Sequence, residues 1–175
     1  FMGKKSNKIS RLEKNLMKVN AVILIHPAYD LRDLESHNKS PESYIGGLKE
    51  MNQIAIRVGK PIYAIPYTLA NPKKLPPEII EPWEILHPGM YGVNPNMGLQ
   101  QISAKENVPL KELVIALGGM YETACMALWG QCCFRNYYGR EVRDEYQDNL
   151  EILTKTIPIK GRSAKVIQSI TRDKS

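Results

Sequence analysis

Three apolar runs without strict polar alternation stand out: NAVILI (20–25), PIYAI (61–65) and LVIAL (113–117). A strand covered on both faces needs apolar side chains at odd and even positions alike. These runs therefore predict interior strands of a sheet with helices on both sides. The first run ends at His26-Pro27, where proline brings no N–H and a fixed φ. Residues 29–40 then read as a polar loop. Ser40-Pro41-Glu42-Ser43 supplies an N-cap, a proline at the first helical position and an early acid. Tyr44, Leu48, Met51, Ile54 or Ala55, and Val58 follow at helical spacing, and Gly59 closes that helix. Gly46-Gly47 is a weak point in it, at about 1 kcal/mol per glycine relative to alanine. Strand, helix and strand within 20–65 predict a βαβ unit with a right-handed crossover.

The remaining pattern is less regular. Residues 4–19 predict an exposed helix with Ile9, Leu12, Leu16 and Val19 on one face. Seven of the twelve prolines fall in 66–98, which predicts a long irregular segment. A short helix is expected over 98–106 and a longer one over 122–138, ended by Gly139. On the longer helix Cys125, Leu128, Trp129, Cys132 and Arg135 or Asn136 share a face. Fainter strand patterns occupy 140–146 and 149–155, and no internal repeat is visible. The fold class predicted is α/β, a three-layer α/β/α domain with a mainly parallel sheet over 20–160. It lies between a basic arm (1–19) and a basic tail (161–175).

Composition narrows the partners. Hydrophobic residues make up 43% and charged residues 24% of 175, ordinary for one globular domain. The net charge of +6 belongs to the ends. Residues 1–19 hold six Lys/Arg and one Glu, residues 161–175 hold four Lys/Arg and one Asp, and 20–160 carries −2. Apart from Phe1 no aromatic side chain interleaves with the first arm, so solvated arms are expected rather than a nucleic-acid interface. No apolar run reaches the roughly 18 residues of a membrane span. Cys125, Cys132 and Cys133 form no CxxC, and no apolar signal core opens the sequence. Reduced thiols in a cytoplasmic protein are the expectation. His26 and His37 with Asp30, Asp33 and Glu35 match no metal-ligand spacing and read as a solvated acidic loop. Gly118-Gly119 lacks the rest of a dinucleotide fingerprint. No metal or cofactor is therefore expected.

The stretch ELVIALGGMYETAC (112–125) carries the candidate chemistry. It reads as a strand, a tight glycine turn and a helix with Cys125 in its first turn. Unpaired backbone N–H groups and the helix dipole favour an anion there, so the thiol pKa can fall below about 8.5 and make a nucleophile. The alternative is a small apolar residue packing helix on sheet. Glu122, one turn earlier, raises the thiol pKa unless paired, caps the helix as an N-terminal acid, or serves as a base itself. Trp83, Tyr91, Trp129, Tyr137 and Tyr138 are pocket lining or core.

Two segments, AVILIHPAYDL (21–31) and LVIALGGMYETAC (113–125), resemble the isochorismatase-like cysteine hydrolase family, which includes nicotinamidases and related amidases. Asp30 and Leu31 fall where the final Asp-Phe of that family's opening strand motif lies, and the similarity spans about residues 19 to 150. It implies a Rossmann-like three-layer fold and an Asp-Lys-Cys triad, of which only the cysteine position matches, at Cys125. His26 stands where the aspartate would be. His87 or Pro88 stands where the lysine would be, and no lysine lies between Lys74 and Lys105. The family's backbone oxyanion site maps to 120–125, and the expected substrate contacts are Tyr91, Met120 and Tyr121. The nicotinamidase metal motif, Asp-x-His, is absent from PYTLANPKKL (66–75). Two readings follow. In one, His26 and His87 serve Cys125 as base and charge partner for hydrolysis of a small amide or related substrate. In the other, the fold is kept without catalysis, for binding or oligomerisation. Both make a small molecule and further copies of the chain the expected partners.

Overall fold

The three apolar runs become the three central strands of a parallel sheet. The computed structural model describes residues 11–36, 38, 40–68, 74–86, 95–120 and 150–152. In chain order these form α1 (Arg11–Met17), β1 (Ala21–Ile25), α2 (Leu31–Ser36), α3 (Pro41–Arg57), β2 (Ile62–Ile65), α4 (Pro77–Ile80), β3 (Trp83–Ile85) and α5 (Pro95–Glu106). A 3-10 turn (Leu110–Glu112), β4 (Ile115–Gly119) and β5 (Leu150–Ile152) follow. The five strands run in the order β3-β2-β1-β4-β5, and every neighbouring pair is parallel. This is an α/β fold. Every residue of β1, β2 and β4 is buried, as non-alternating strands must be when both faces are covered.

One face packs on α1, α3 and α4. Val22, Leu24, Ile62, Ala64 and Ala116 meet Leu16, Leu48, Met51, Ala55 and Ile79 in one apolar cluster. Residues of the opposite parity cover the other face, where the Tyr63 hydroxyl donates to the Glu106 carboxylate at the end of α5. Burial and that carboxylate push the Tyr63 phenol well above its ordinary range. A buried Asn52 ties α3 to the segment beyond β2. Its Nδ2 donates to Ile79 O at 2.8 Å, and its Oδ1 accepts from Trp83 Nε1 at 2.7 Å. Trp83 is thus a core residue with a satisfied indole.

Local chemistry sets the helix ends. Ser40 Oγ accepts from the Ser43 N–H at 3.1 Å, and Pro41 follows at the first helical position. At the other end of α3, Lys60 N–H reaches Ala55 O and Gly59 N–H reaches Ile56 O, with Gly59 at φ 72°. That is a Schellman stop. Asn107, at φ 52°, ends α5 in the same manner, with Val108 N–H on Ser103 O and Asn107 N–H on Ala104 O. Arg57 Nε donates to Glu13 Oε1 at 2.8 Å and joins α1 to the end of α3.

Several sequence expectations change. The polar stretch 29–40 contains α2, with the Asp30 carboxylate accepting the Arg32 N–H at 3.0 Å as its cap. The proline-rich segment contains α4 and β3. The helix expected over 98–106 begins at Pro95, and the one expected over 4–19 is described from Arg11. Gly118 and Gly119 are the last two residues of β4 and not a turn. The expected helix 122–138, the strand 140–146 and most of both basic arms lie outside the described residues.

Gly119 is needed where it stands. Its φ is 151°, it pairs with Ile25, and a Cβ there would lie inside the contact radius of Ile25 O. Gly46 is different, since a Cβ would meet nothing within 4 Å. Gly119→Ala is expected to destabilise by about 2 to 4 kcal/mol, from overpacking and backbone strain together. Gly46→Ala is expected to stabilise by about 0.5 to 1 kcal/mol through helix propensity. Urea denaturation of the two variants checks both signs.

Candidate functional site

In the order 3-2-1-4-5 the chain direction across the sheet reverses between β1 and β4. Ligands of such sheets bind outside the carboxyl ends of the strands at that reversal. Here that place is bounded by the turn after β1 (residues 26–30), by Gly119-Met120 and by the segment after β2.

The turn is tightly determined. His26 and Ala28 both adopt left-handed backbone, at φ 49° and 55°, a conformation costing roughly 1 to 2 kcal/mol for a residue with a Cβ. Four hydrogen bonds hold it. His26 N–H donates to Ile65 O at 2.8 Å and extends the β1–β2 pairing by one residue. Tyr29 N–H donates to His26 O at 3.2 Å. Ala28 N–H donates to the Tyr44 hydroxyl at 3.1 Å, and Asp30 N–H to Met120 Sδ at 3.4 Å. With Pro27 lacking a donor, every backbone N–H of residues 26–30 is engaged within the protein. The turn offers no free backbone donor to a ligand oxygen.

Tyr44 is the second half of this construction. From the first turn of α3 its hydroxyl also donates to Gly119 O at 2.7 Å. One phenol thus joins the turn after β1 to the end of β4. Burial pushes this phenol far above its ordinary range, although the Ala28 N–H acts in the opposite sense, so it stays protonated as a donor.

His26 sits at the carboxyl end of β1, 9% exposed. Its ring meets Tyr67 edge-on, with centroids 5.4 Å apart, and lies 6.5 Å from Tyr29. Tyr29 and Tyr67 touch each other edge-on at 4.5 Å. Desolvation by burial lowers the imidazole pKa below its ordinary 6.5, which favours the neutral ring at neutral pH. Met120, expected to contact substrate, is fully buried in the cluster shared with Tyr44 and Ala28, and its sulfur faces the Asp30 N–H. His26 and Met120 are thus brought to the same edge of the sheet. Cys125, Glu122, Tyr121, His87 and Tyr91 lie outside the described residues, as does His37. Among the described residues no group of three His, Cys, Asp or Glu side chains could hold a metal ion, and no helix is long and apolar enough to cross a membrane. Sequence reasoning passed over Tyr29, Tyr44 and Tyr67. Tyr44 reads as one more apolar position of the α3 stripe; the only signal beyond that is that a buried phenol requires a partner.

Two outcomes test this geometry. Tyr44→Phe strands the buried Ala28 N–H and removes the donor to Gly119 O; a loss of about 1 to 3 kcal/mol in urea denaturation is expected. For His26 the folded pKa lies below the unfolded one, so the unfolded chain binds the extra proton first. Stability is full above the unfolded pKa and falls as the pH drops from about 6.5 towards the folded value. His26→Asn should flatten that acid slope by up to about 1.4 kcal/mol per pH unit, measured by urea midpoints between neutral and mildly acidic pH.

In comparisons with known proteins, no family model, curated protein or solved structure matched this chain.

Proposed function

We propose that the chain is a divergent, isochorismatase-like cysteine hydrolase acting on a small amide or related substrate, with Cys125 as nucleophile and His26 as its base. The observation that carries this reading is the position of His26. It is a buried imidazole favoured in its neutral form, held in left-handed backbone at the reversal point of the sheet, beside the strand whose continuation contains Cys125. Cys125 follows Gly119 by six residues, which keeps it within about 20 Å of the end of β4 by chain reach alone.

The steps are those of a Cys–His pair. The neutral imidazole takes the thiol proton, and the thiolate attacks the substrate carbonyl carbon. The resulting imidazolium returns the proton to the leaving nitrogen as the carbon–nitrogen bond breaks. Water, giving its proton to the same imidazole, then hydrolyses the thioester and frees the acid and the thiol. Because the turn after β1 has no free donor, the developing oxyanion would be stabilised from the chain beyond Met120, the region that the family resemblance assigns to it. His87 and Glu122 are the further candidates for charge support, and Tyr91 and Tyr121 for substrate contact.

A non-catalytic member used for small-molecule binding or self-assembly is the second reading. It is favoured by the burial of His26 against a pair of touching tyrosine rings and by the absence of lysine from residues 75–104.

Alkylation separates the two. A paired Cys125 should react with iodoacetamide well below pH 8 and faster than Cys132 or Cys133, as read by peptide mass spectrometry, and His26→Ala should slow it. Equal, slow labelling of all three thiols would remove the catalytic reading. Unchanged labelling in His26→Ala would remove His26 as the base.

A further inference from the structure

The ring cluster at the carboxyl ends of β1 and β2 has an asymmetry. His26 is almost fully buried, while Tyr67, which meets it edge-on, is 53% exposed. Tyr67 lies two residues beyond β2 and is not part of the main apolar cluster on α1, α3 and α4. A half-exposed aromatic ring gains less from burial than a core ring does. Tyr67 makes ring contacts with both His26 and Tyr29.

We propose that Tyr67 is a positioning residue: its ring fixes the orientation of the His26 imidazole and closes it from solvent on the β2 side. This rests on the reading of His26 as a base, since a base must be held in one orientation to meet its proton donor. Three restraints converge on the imidazole. Its backbone is locked by the His26 N–H to Ile65 O bond and the left-handed φ. Tyr29 stands on one side of the ring, itself held by its N–H to His26 O. Tyr67 lies closer, at 5.4 Å on that same side, and braces Tyr29 in turn. The ring of Tyr67 acts through shape and exclusion of water, so its hydroxyl is not required. Among the described residues, the titratable groups shown at this turn are the phenols of Tyr29, Tyr67 and Tyr44 and the Asp30 carboxylate. Tyr44 is bound to Gly119 O and Ala28 N–H, and the Asp30 carboxylate faces the Arg32 N–H and guanidinium. Tyr44 and Asp30 keep these partners when Tyr67 is truncated, while Tyr29 loses its edge contact with Tyr67 and keeps its N–H on His26 O.

The test is an NMR titration of the His26 ring protons in the full chain, assigned by their loss in His26→Asn. Tyr67→Ala should move the midpoint up towards 6.5 and speed modification of His26 by diethylpyrocarbonate severalfold, whereas Tyr67→Phe should leave both unchanged. Thermal midpoints of the variants establish that each is folded. A midpoint and modification rate in Tyr67→Ala equal to those of the parent chain would overturn the proposal, as would a change in Tyr67→Phe as large as that in Tyr67→Ala. The outcome is independent of the alkylation of Cys125. A shifted titration with alkylation indifferent to His26 leaves the positioning contact standing and removes the base reading alone.

Discussion

The Tyr44 hydroxyl is the constraint on which the carboxyl edge of the sheet depends. It accepts from Ala28 N–H and donates to Gly119 O, so a helix, a turn and a strand end meet at one oxygen. Neither backbone group has a regular partner at that point. The ladder between β1 and β4 ends at Ile25 and Gly119, and the chain after β1 turns through left-handed residues. Two buried peptide groups without partners would each cost about 1 to 3 kcal/mol. Tyr44 answers both, and it can do so only if β1 and β4 approach as closely as a glycine at 119 allows. Sheet spacing, turn conformation and the rotamer of one tyrosine are therefore a single interlocked choice.

That interlock explains how two non-glycine residues remain in left-handed backbone within three positions. Strain of this size persists where the surroundings over-determine it, and such places are frequently functional. Here the over-determination is explicit in four hydrogen bonds, on Ile65 O, His26 O, Tyr44 and Met120. One consequence is the location of His26. In right-handed or extended backbone the residue after β1 would carry its side chain elsewhere; at φ 49° the ring packs with Tyr29 and Tyr67. The loss of hydration that follows is what lowers its proton affinity.

How much of this was legible depends on the kind of interaction. The buried strands β1, β2 and β4 announce themselves because covering both faces forbids alternation, and α3 because Ser40-Pro41 and Gly59 mark its ends. β3 was hidden, since three residues with only Trp83 buried carry no period and sit among prolines. α2 was hidden because LRDLES buries only Leu34 fully among its described positions. The glycine pair misled for a physical reason. Glycine serves tight turns and close approach equally, and only the neighbouring strand shows that Gly119 is the second case. His26 at a strand end was readable; its enclosure was not, because Tyr29 and Tyr67 lie 38 residues apart and meet only through the parallel pairing of β1 with β2.

The donor inventory of the turn constrains any chemistry at this edge. Tetrahedral intermediates of acyl transfer need N–H groups aimed at the developing oxygen, and a turn following the first strand is one place to find them. Residues 26–30 cannot supply them, because Pro27 has none and the other four donors are committed to the fold. Releasing one would undo the contacts that hold His26 in place. Among the described residues the β1 and β2 side therefore offers an imidazole and two phenols but no backbone donor from the turn, and on the proposed reading charge stabilisation would fall to the opposite bank. That bank begins at Met120, whose sulfur is already taken by Asp30 N–H. On the proposed reading of Cys125 as nucleophile and His26 as base, the donors would lie on the same continuation of β4 as Cys125, across the edge from His26.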